Sequence, residues 1–308
     1  MNEVYRYIGY TKQSFHQKMN RQLSQRGEEL LLLPIIAELR NEHPGVAARQ
    51  LYWILRPSNI GRDRFEKLCF ENGFKLEKSK AYKRTTDSNG VIRFPNLVAG
   101  VEFTYINQAW SSDITYYQIG DRFYYLTFII DLFSRRIVGY NVSESLTTEQ
   151  TSLPALQMAV KDRCPPSTLI FHSDGGGQYY SKAFLEFTKD KLKNSMCEMA
   201  YENPNAERIN GTIKNQYLKG YNPMNYSSLV NMTQRAVYNY NTVRPHKSLK
   251  KSTPVAFEEQ LSADSTLLKS NDFCIENNIN QQYQKNHQIL IGDQINNINP
   301  SLKTVNVF

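Results

Sequence analysis

The sequence is poor in cysteine and has no long apolar run, and each shortage excludes a class of protein. Its 308 residues include only four cysteines, none of them in a C-x-x-C pair: Cys69, Cys164, Cys197 and Cys274. A disulfide framework and a zinc knuckle are therefore poorly supported, and a cytoplasmic location is expected. The longest apolar run, residues 30–37, is far too short to cross a bilayer, and the first residues lack the order of a signal peptide. A membrane protein and a small secreted protein are both excluded.

Charge is unevenly distributed along the chain, whose formal net charge is +8. Residues 1–95 carry 17 Lys and Arg against 10 Asp and Glu, and residues 181–252 carry 12 against 5. Residues 96–180 and 253–308 are mildly acidic instead. Two basic blocks around an acidic one are typical of nucleic-acid-binding proteins, although many basic proteins bind no DNA.

Residues 1–80 have the apolar periodicity of helices and are interpreted as one helical region. The predicted helices cover residues 11–25, 28–41, 46–55 and 61–72, and Gly27 separates the first two. A helix, a tight polar break and a basic helix form the layout of a helix-turn-helix, although a plain bundle corner has the same pattern. The first candidates for DNA contact are three basic residues of the second helix of this pair: Arg62, Arg64 and Lys67. Residues 81–103 are predicted to form a linker.

Residues 104–220 are predicted to form an α/β catalytic core. Strand patterns at residues 110–119, 123–130, 136–142 and 169–172 are interleaved with helical patterns at residues 148–163 and 181–192. Three antiparallel strands followed by a helix, a strand and a helix are typical of a ribonuclease-H-like fold. Residues 221–260 are predicted to extend the core with helices, and the Asn- and Gln-rich residues 261–308 to form a loose tail.

Three acidic residues stand out by their context. Asp113 lies within an otherwise apolar and aromatic strand, Asp174 ends a strand and opens a run of glycines, and Glu207 lies near the start of a helix. Ligand sites in such sheets lie near the carboxyl ends of strands. Three carboxylates from two strands and one helix could hold two Mg²⁺ or Mn²⁺ ions about 3.5–4 Å apart. One ion would activate a water or a DNA 3′-hydroxyl, and the other would stabilise the leaving oxygen.

Each acid also has a purely structural interpretation. Asp174 could belong to a strand-end turn, and Asp113 could be a solvated edge residue. A further strand acid, Asp131, is predicted to cap a turn, and His172 to be a packed histidine rather than a ligand. The functional interpretation therefore depends on the combination and order of the motifs.

Five ordered motifs resemble those of the insertion-sequence-three family of bacterial transposases, within the DDE superfamily that also contains retroviral integrases. They are W-x-x-D-x-T-Y at residues 110–116, D-L-F-S-R-R-I-V-G at 131–139, H-S-D-x-G-x-Q-Y at 172–179, E-N-x-x-A-E at 202–207 with G-T-I-K at 211–214, and Y-N-x-x-R-P-H-x-x-L at 240–249. Residues 45–74 also resemble the helical DNA-binding region ahead of the family's core. The likeness spans residues 40–258.

The resemblance implies a mixed five-stranded integrase core in which Asp113, Asp174 and Glu207 are the catalytic metal ligands. It implies cleavage at the ends of a mobile element and joining of the freed 3′-hydroxyl to target DNA. It also implies a homo-oligomer on paired DNA ends, a helper protein from an upstream reading frame, and a location at the bacterial nucleoid. Two departures affect the flexible loop: 32 residues separate Asp174 from Glu207, fewer than is usual, and Gly175 replaces the family's arginine.

Helix geometry adds predictions around Glu207. Asn210 and Lys214, three and seven residues later, return to nearly the same face of the helix. Lys214 is therefore predicted to neutralise a DNA phosphate beside the metal site, although most lysines are simply solvated. Further DNA contacts are predicted for Arg208, Arg244 and His246, together with Asn210.

The sequence thus favours a DDE transposase over two other functions. A catalytically silent DNA-binding regulator derived from a transposase would also carry the basic blocks. The presence of all three carboxylates and of the closing motif argues against such decay. A ribonuclease of the same fold would leave the flanking motifs unexplained.

Overall fold

The structure, a computed structural model, describes residues 9–76, 94–197 and 203–263, together with Tyr5 and Tyr7. All of these belong to one compact unit, Met1–Ser265. The predicted tail, apart from its first three residues, lies outside the described residues, and so do Cys274 and residues 81–93 of the predicted linker. Residues 94–103 form neither helix nor strand, and their Leu97 N–H donates to the Ser195 hydroxyl at 2.9 Å.

The first helix, α1 (Lys12–Glu42), is continuous, so the predicted division into two helices at Gly27 was wrong. Both Gly27 and Pro34 lie inside it. A single interior glycine costs only about 1 kcal/mol relative to alanine, and tertiary packing overrides such preferences. That packing is present in the second half of α1, where Ile36 is completely buried.

Two shorter helices follow, α2 (Ala48–Leu55) and α3 (Arg62–Glu71), close to the predicted bounds. Arg56 ends α2 in the left-handed conformation, with φ 47°. The side chains of Leu51 and Phe65 are fully buried between the helices. None of the described helices is long and apolar enough to cross a membrane.

Five strands form one mixed sheet in the order β3-β2-β1-β4-β5, as the fold prediction required. Their bounds are β1 (Ala109–Ile119), β2 (Arg122–Asp131), β3 (Ile137–Ser143), β4 (Ile170–Ser173) and β5 (Lys193–Met196). The first three pair antiparallel, whereas β4 runs parallel to β1 and β5 runs parallel to β4. A two-residue turn, Gly120 and Asp121, joins β1 and β2 in a hairpin, with Gly120 at φ 56°.

Helices cover both faces of the sheet. One face packs against α4 (Ser152–Arg163) and α5 (Lys182–Thr188), and the other against α6 (Pro204–Thr212) and α7 (Tyr226–Thr242). Successive side chains of β2 point to opposite faces of the sheet. Ile129 belongs to the apolar cluster under α4 and α5, and its neighbours Phe128 and Ile130 belong to the cluster under α6 and α7.

The helical run that starts with α6 contains a π-helical segment, Ile213–Leu218, and one more turn, Lys219–Tyr221. The sequence predicted a helix here but not the wider π turn. Such turns are rare in proteins, and those that occur are often at functional sites. The end of α1 contacts this segment directly, since the Gly45 N–H donates to the Gln216 carbonyl oxygen at 2.7 Å. A Cβ at Gly45 would lie 2.4 Å from the Gln216 Cα, so only glycine permits this approach.

The last described helix, α8 (Pro254–Ala263), is fixed by a buried carboxylate. Glu258 forms ion pairs with Arg136 at 2.6 Å and with Arg163 at 2.8 Å. Burial alone would raise the pKa of the Glu258 carboxyl, but the two guanidinium groups hold that pKa below its ordinary value. Helix α8 is thereby joined to the residue that precedes β3 and to the last residue of α4.

Candidate active site

Two neighbouring strands bring Asp113 and Asp174 to the same level of the sheet. In the parallel pairing of β1 with β4, Ser111 lies opposite His172, and each acid follows two residues later. Asp113 is 7% exposed, whereas Asp174 lies just beyond β4 and is exposed. The Asp174 carboxylate accepts a hydrogen bond from the Gly176 N–H at 3.1 Å, as expected of a turn after a strand.

The buried phenol of Tyr179 is close to both carboxylates. Burial raises the pKa of Tyr179 well above its ordinary value, and the negative charges of Asp174 and Asp113 raise it further. Its hydroxyl lies 2.9 Å from the Ser112 hydroxyl, on the residue next to Asp113. One neutral phenol therefore lies within electrostatic reach of both acids.

Helix α6 is tied to β1 immediately beside Asp113. Asn203, the residue before the helix, donates to the Ser112 carbonyl oxygen at 2.9 Å and accepts from the Ser111 hydroxyl. One turn into the helix comes Glu207, and one turn later Asn210 donates to Asp113 Oδ2 at 2.8 Å. Because residues three apart share a helix face, the Glu207 carboxylate belongs to the face of α6 that meets Asp113.

Lys214 points to the same place, as helix geometry predicted. Its Nζ donates to the Thr115 hydroxyl at 3.0 Å and lies 4.7 Å from the centre of the Tyr116 ring. Burial lowers the pKa of Lys214, and the nearby charge of Asp113 opposes that shift. The ammonium group is thus half-buried two residues along β1 from Asp113.

The donor set next to Asp113 suits a hard divalent cation. Carboxylate and amide oxygens are what Mg²⁺ binds in proteins. Asn210 Oδ1 is buried and has no hydrogen-bond partner among the described residues, so an acceptor stands beside the Asp113 carboxylate. In the same described part of the chain, no three His, Cys, Asp or Glu side chains are grouped closely enough to enclose a metal ion. The oxygen atoms of Asp113 and Asn210 are thus of the chemical kind that Mg²⁺ binds.

The backbone conformation and the packing around residue 175 explain why a glycine stands there. Gly175 has φ 73°, a left-handed conformation that side chains rarely adopt, and a Cβ there would lie 2.0 Å from the Met196 Cε. Met196 ends β5, within the stretch between Asp174 and Glu207 that is shorter than usual. A glycine suits both the turn after Asp174 and the side chain that packs on it.

Two side chains have the structural roles predicted for them. Asp131 is fully buried, and its carboxylate accepts from the N–H groups of Phe133 and Ser134 at 2.9 and 2.8 Å, so it caps the turn. His172 is buried in β4, with Nδ1 3.0 Å from the Ser195 hydroxyl. The turn-capping role of Asp131 and the packed position of His172 are confirmed.

The basic residues of α3 that were predicted to contact DNA form ion pairs within the protein. Arg64 binds both carboxylate oxygens of Glu29 at 2.6 Å, Lys67 lies 3.6 Å from Glu71, and Arg62 lies 2.8 Å from Asp63. Arg64 therefore joins α3 to α1. DNA contact by these three residues stays a prediction.

The remaining predicted DNA contacts differ in exposure. Arg208 is exposed on α6, whereas Arg244 is half-buried and donates to Gln216 Oε1 at 3.2 Å. His246 is buried against Tyr240, with ring centres 4.6 Å apart, and burial lowers the pKa of His246 to about 4. The neutral imidazole faces the interior, and its contact with DNA also stays a prediction.

The sequence missed the polar network behind the acids. Ser112, Tyr179 and Asn203 hold the two strands and α6 together, although none was singled out as a site residue. The available signal was position, since each lies within a few residues of a motif acid.

Comparison with known proteins agrees with this architecture. Two integrase core domain models match residues 105–199 and 191–254. The chain is 32% identical over 260 residues to the insertion element IS600 uncharacterized 31 kDa protein of Shigella sonnei, covering 82% of this chain and 94% of that protein. It is 32% identical over 162 residues to the transposase InsF for insertion sequence IS3fB of Escherichia coli, covering 50% of this chain and 54% of that protein.

Among solved structures, the HTLV-2 integrase catalytic core domain in complex with magnesium overlaps 49% of this chain and 96% of its own, with 25% identity and a TM-score of 0.41. The family assignment comes from the sequence relatives, one of which is matched over nearly its whole length. This chain belongs to the IS3 family of bacterial insertion-sequence transposases, and it carries an integrase core.

Proposed function

We propose that this protein is a DDE transposase that cleaves a DNA strand at the ends of its element and joins the freed 3′-hydroxyl to target DNA. The observation that carries the proposal is the meeting of two strands and one helix at Asp113. Asp174 follows the neighbouring strand at the same level, and Asn210 of the Glu207 helix donates to the Asp113 carboxylate. Family membership supports DNA transposition as the process.

In this proposal Asp113, Asp174 and Glu207 hold two Mg²⁺ or Mn²⁺ ions. The ions would lower the pKa of the attacking hydroxyl and stabilise the leaving oxygen. Asn210 fixes the orientation of the Asp113 carboxylate through the 2.8 Å hydrogen bond to Oδ2. The polar network of Ser112, Tyr179 and Asn203 keeps β1, β4 and α6 in register, which orients the acids before the substrate binds.

The proposed partner is double-stranded DNA, both the terminal repeats and the target. Lys214 is proposed to bind a phosphate, because its half-buried ammonium group lies beside Asp113 and extra anionic charge there would be stabilised. Arg208 is an exposed cation one residue after Glu207. We further propose that copies of the chain assemble on paired ends; a helper protein and a location at the nucleoid are expectations from the family resemblance alone.

The experiment uses purified protein, labelled duplexes carrying the inverted repeats that flank the gene, and Mg²⁺. Asp113→Asn, Asp174→Asn and Glu207→Gln should each reduce cleavage and joining at least a hundredfold while DNA binding persists, because a ligand is lost. The matched control is Asp121→Asn in the exposed hairpin turn. Cleavage that survives a strong chelator or all three substitutions would overturn the proposal, and binding without cleavage by the unaltered protein would favour a silent regulator.

A further inference from the structure

A cavity of about 750 Å³ is lined by residues that lie a few positions before each of the three acids. Its floor includes Ser111, His172 and Asn203, which precede Asp113, Asp174 and Glu207 by two, two and four residues. Because residues two apart share a strand face, the cavity is on the face of the sheet that presents the acids. Two residues along a strand span about 6.6 Å, comparable to one nucleotide step of an extended DNA strand.

One wall of this cavity is aromatic. Phe103, Phe133 and Phe257 line it, and all three are only half-buried, so ring surface faces the opening. The Phe133 and Phe257 ring centres are 5.4 Å apart. Partly accessible phenylalanines beside a catalytic site form the kind of surface on which an unstacked base is held.

Arg135 also lines the cavity and contributes a positive charge. Arg135 has a left-handed backbone, with φ 63°, and its guanidinium donates to Asn205 Oδ1 at 2.7 Å. Burial lowers the pKa of Arg135. Its neighbour Arg136 pairs with Glu258, whereas in the described part of the chain no carboxylate lies within ion-pair distance of Arg135. The lining includes one exposed acid, Glu102, and the charge of the buried Asp131 also acts on Arg135.

We propose that this cavity receives one unstacked nucleotide of the DNA strand whose phosphate is bound at the acids. The aromatic wall contacts the base, and Arg135 contacts a phosphate of the same strand. The inference rests on the proposed function, because the acids define where the strand lies. The volume suits such an occupant, since pockets for small molecules measure about 300–1,000 Å³.

The test measures binding of the full chain to end duplexes in Ca²⁺, with an abasic site placed in turn at each position near the cleaved phosphate. At one position the missing base should raise the Kd about tenfold, because a base–aromatic stack is lost. Phe257→Ala should raise the Kd of the intact duplex by about the same factor and make it insensitive to that abasic site. Phe123→Ala, an exposed aromatic on the β1–β2 hairpin, is the matched control and should behave like the unaltered protein.

A second variant tests the charge. Arg135→Gln should weaken binding and reduce the slope of log Kd against log salt by about 0.9, the contribution of one phosphate contact. Arg122→Gln, at the exposed start of β2, is its control and should leave the slope unchanged. Thermal unfolding of Phe257→Ala and of the rescue variant Phe257→Leu separates a lost contact from a lost fold.

The outcomes distinguish this inference from the proposed function. If the unaltered protein cleaves DNA but the abasic penalty is the same with and without Phe257, the cavity proposal fails alone. If the coupling is found but no cleavage occurs, the cavity proposal stands and the proposed function fails. A free mononucleotide that binds as tightly as the duplex would overturn the assignment to a DNA strand.

Discussion

The two halves of the helical run from Pro204 to Tyr221 face different parts of the molecule. The first half meets the sheet through polar side chains: Asn210 donates to Asp113, and its buried amide oxygen has no hydrogen-bond partner among the residues that the structure describes. The π-helical half also reaches the sheet, through Lys214, but its other side meets the chain just after α1 through backbone, where Gly45 touches Gln216. The first contact can accept a substrate or an ion, whereas the second is closed and steric. The difference indicates that the amino-terminal helices help to hold the Glu207 helix in place.

A second close approach provides the comparison that can test this division. A Cβ at Gly139 would lie 2.4 Å from the Ala155 carbonyl oxygen, on the face of the sheet that carries α4. A Cβ at Gly45 would lie equally close to the Gln216 backbone. The two glycines are thus sterically equivalent, but only Gly45 contacts the run that bears Glu207 and Lys214.

The largest expected effect belongs to the side of the run that faces the sheet, to which Lys214 of the π segment also points. Lys214→Glu should reduce strand joining about a hundredfold, because it places a negative charge beside Asp113 and the DNA phosphate. Lys219→Glu, on the exposed turn after the π segment, should change joining less than threefold. Joining assays on both variants, with binding measured separately, provide the check. Equal losses would mean that overall charge, not position, is responsible.

The next effect tests the closed half. Gly45→Ala and Gly139→Ala should each lower the free energy of unfolding by about 1–3 kcal/mol, because both overpack a close contact. At a temperature where both variants are folded, only Gly45→Ala should also reduce joining, by about tenfold. In a Lys214→Ala background the Gly45 effect should shrink, since the two changes act on one structural unit. Independent, additive losses would contradict a positioning role for Gly45.

A pH dependence should arise from the same contact. Burial lowers the pKa of His43 to about 4, outweighing Glu42, and the charges of Arg244, Arg235 and Arg40 lower it further. The unfolded chain, with a histidine pKa near 6.5, binds a proton that the folded state excludes. Stability is therefore complete above about pH 6.5 and falls toward pH 4, by up to about 1.4 kcal/mol per pH unit for this one group.

Urea unfolding of His43→Gln at several pH values measures that contribution. The variant should be less stable at pH 7, because the contact with the Tyr217 hydroxyl at 3.3 Å changes, but its stability should fall less steeply below pH 6.5. His16→Gln, an exposed histidine on α1, is the control and should keep the slope of the unaltered protein. An unchanged slope in His43→Gln would show that other groups dominate acid unfolding.

The smallest effect concerns packing within the amino-terminal helices. Arg64→Ala should lower the free energy of unfolding by about 1 kcal/mol, because it leaves the buried Glu29 carboxylate without its bidentate partner. The expected loss is no larger because Arg64 is partly exposed and solvent screens the ion pair. Lys67→Ala removes an exposed pair and should cost less than about 0.5 kcal/mol. Thermal or urea unfolding measures both. Weaker DNA binding by Lys67→Ala with unchanged stability would support the predicted DNA contact.

Local patterns were sufficient to predict most of the elements. The nearly continuous apolar and aromatic run of β2 and the apolar stretch of β4 each depend on neighbours in sequence, so their bounds came out close. The continuity of α1 through Gly27 was missed, because it depends on long-range packing of its second half. The short β5, with only Lys193–Met196, has too little pattern to be recognised without its partner strand.

The sequence supplied candidate residues for the site but not their connections. Asp113, Asp174 and Glu207 were proposed from motif order, and the direction of Lys214 was predicted from helical spacing. The link from Asn203 to Ser112 spans 91 positions, and sequence spacing carries no record of such a contact. The ion pair between Arg64 and Glu29 was missed for the same reason, since it joins two helices 35 positions apart in sequence.

The π turn at Ile213–Leu218 amounts to an extra residue in an otherwise regular helix. Without it, every side chain downstream would be rotated by about 100°, the angle per residue of an α-helix. Tyr217 would then turn away from the end of α1, while Asn210 would still face the sheet. A deletion of one residue within this segment should therefore break the contact with the chain after α1 and keep the contact of Asn210 with the sheet, while the segment stays helical. The alignment of the amino-terminal helices with the acids therefore depends on one extra residue in the π turn.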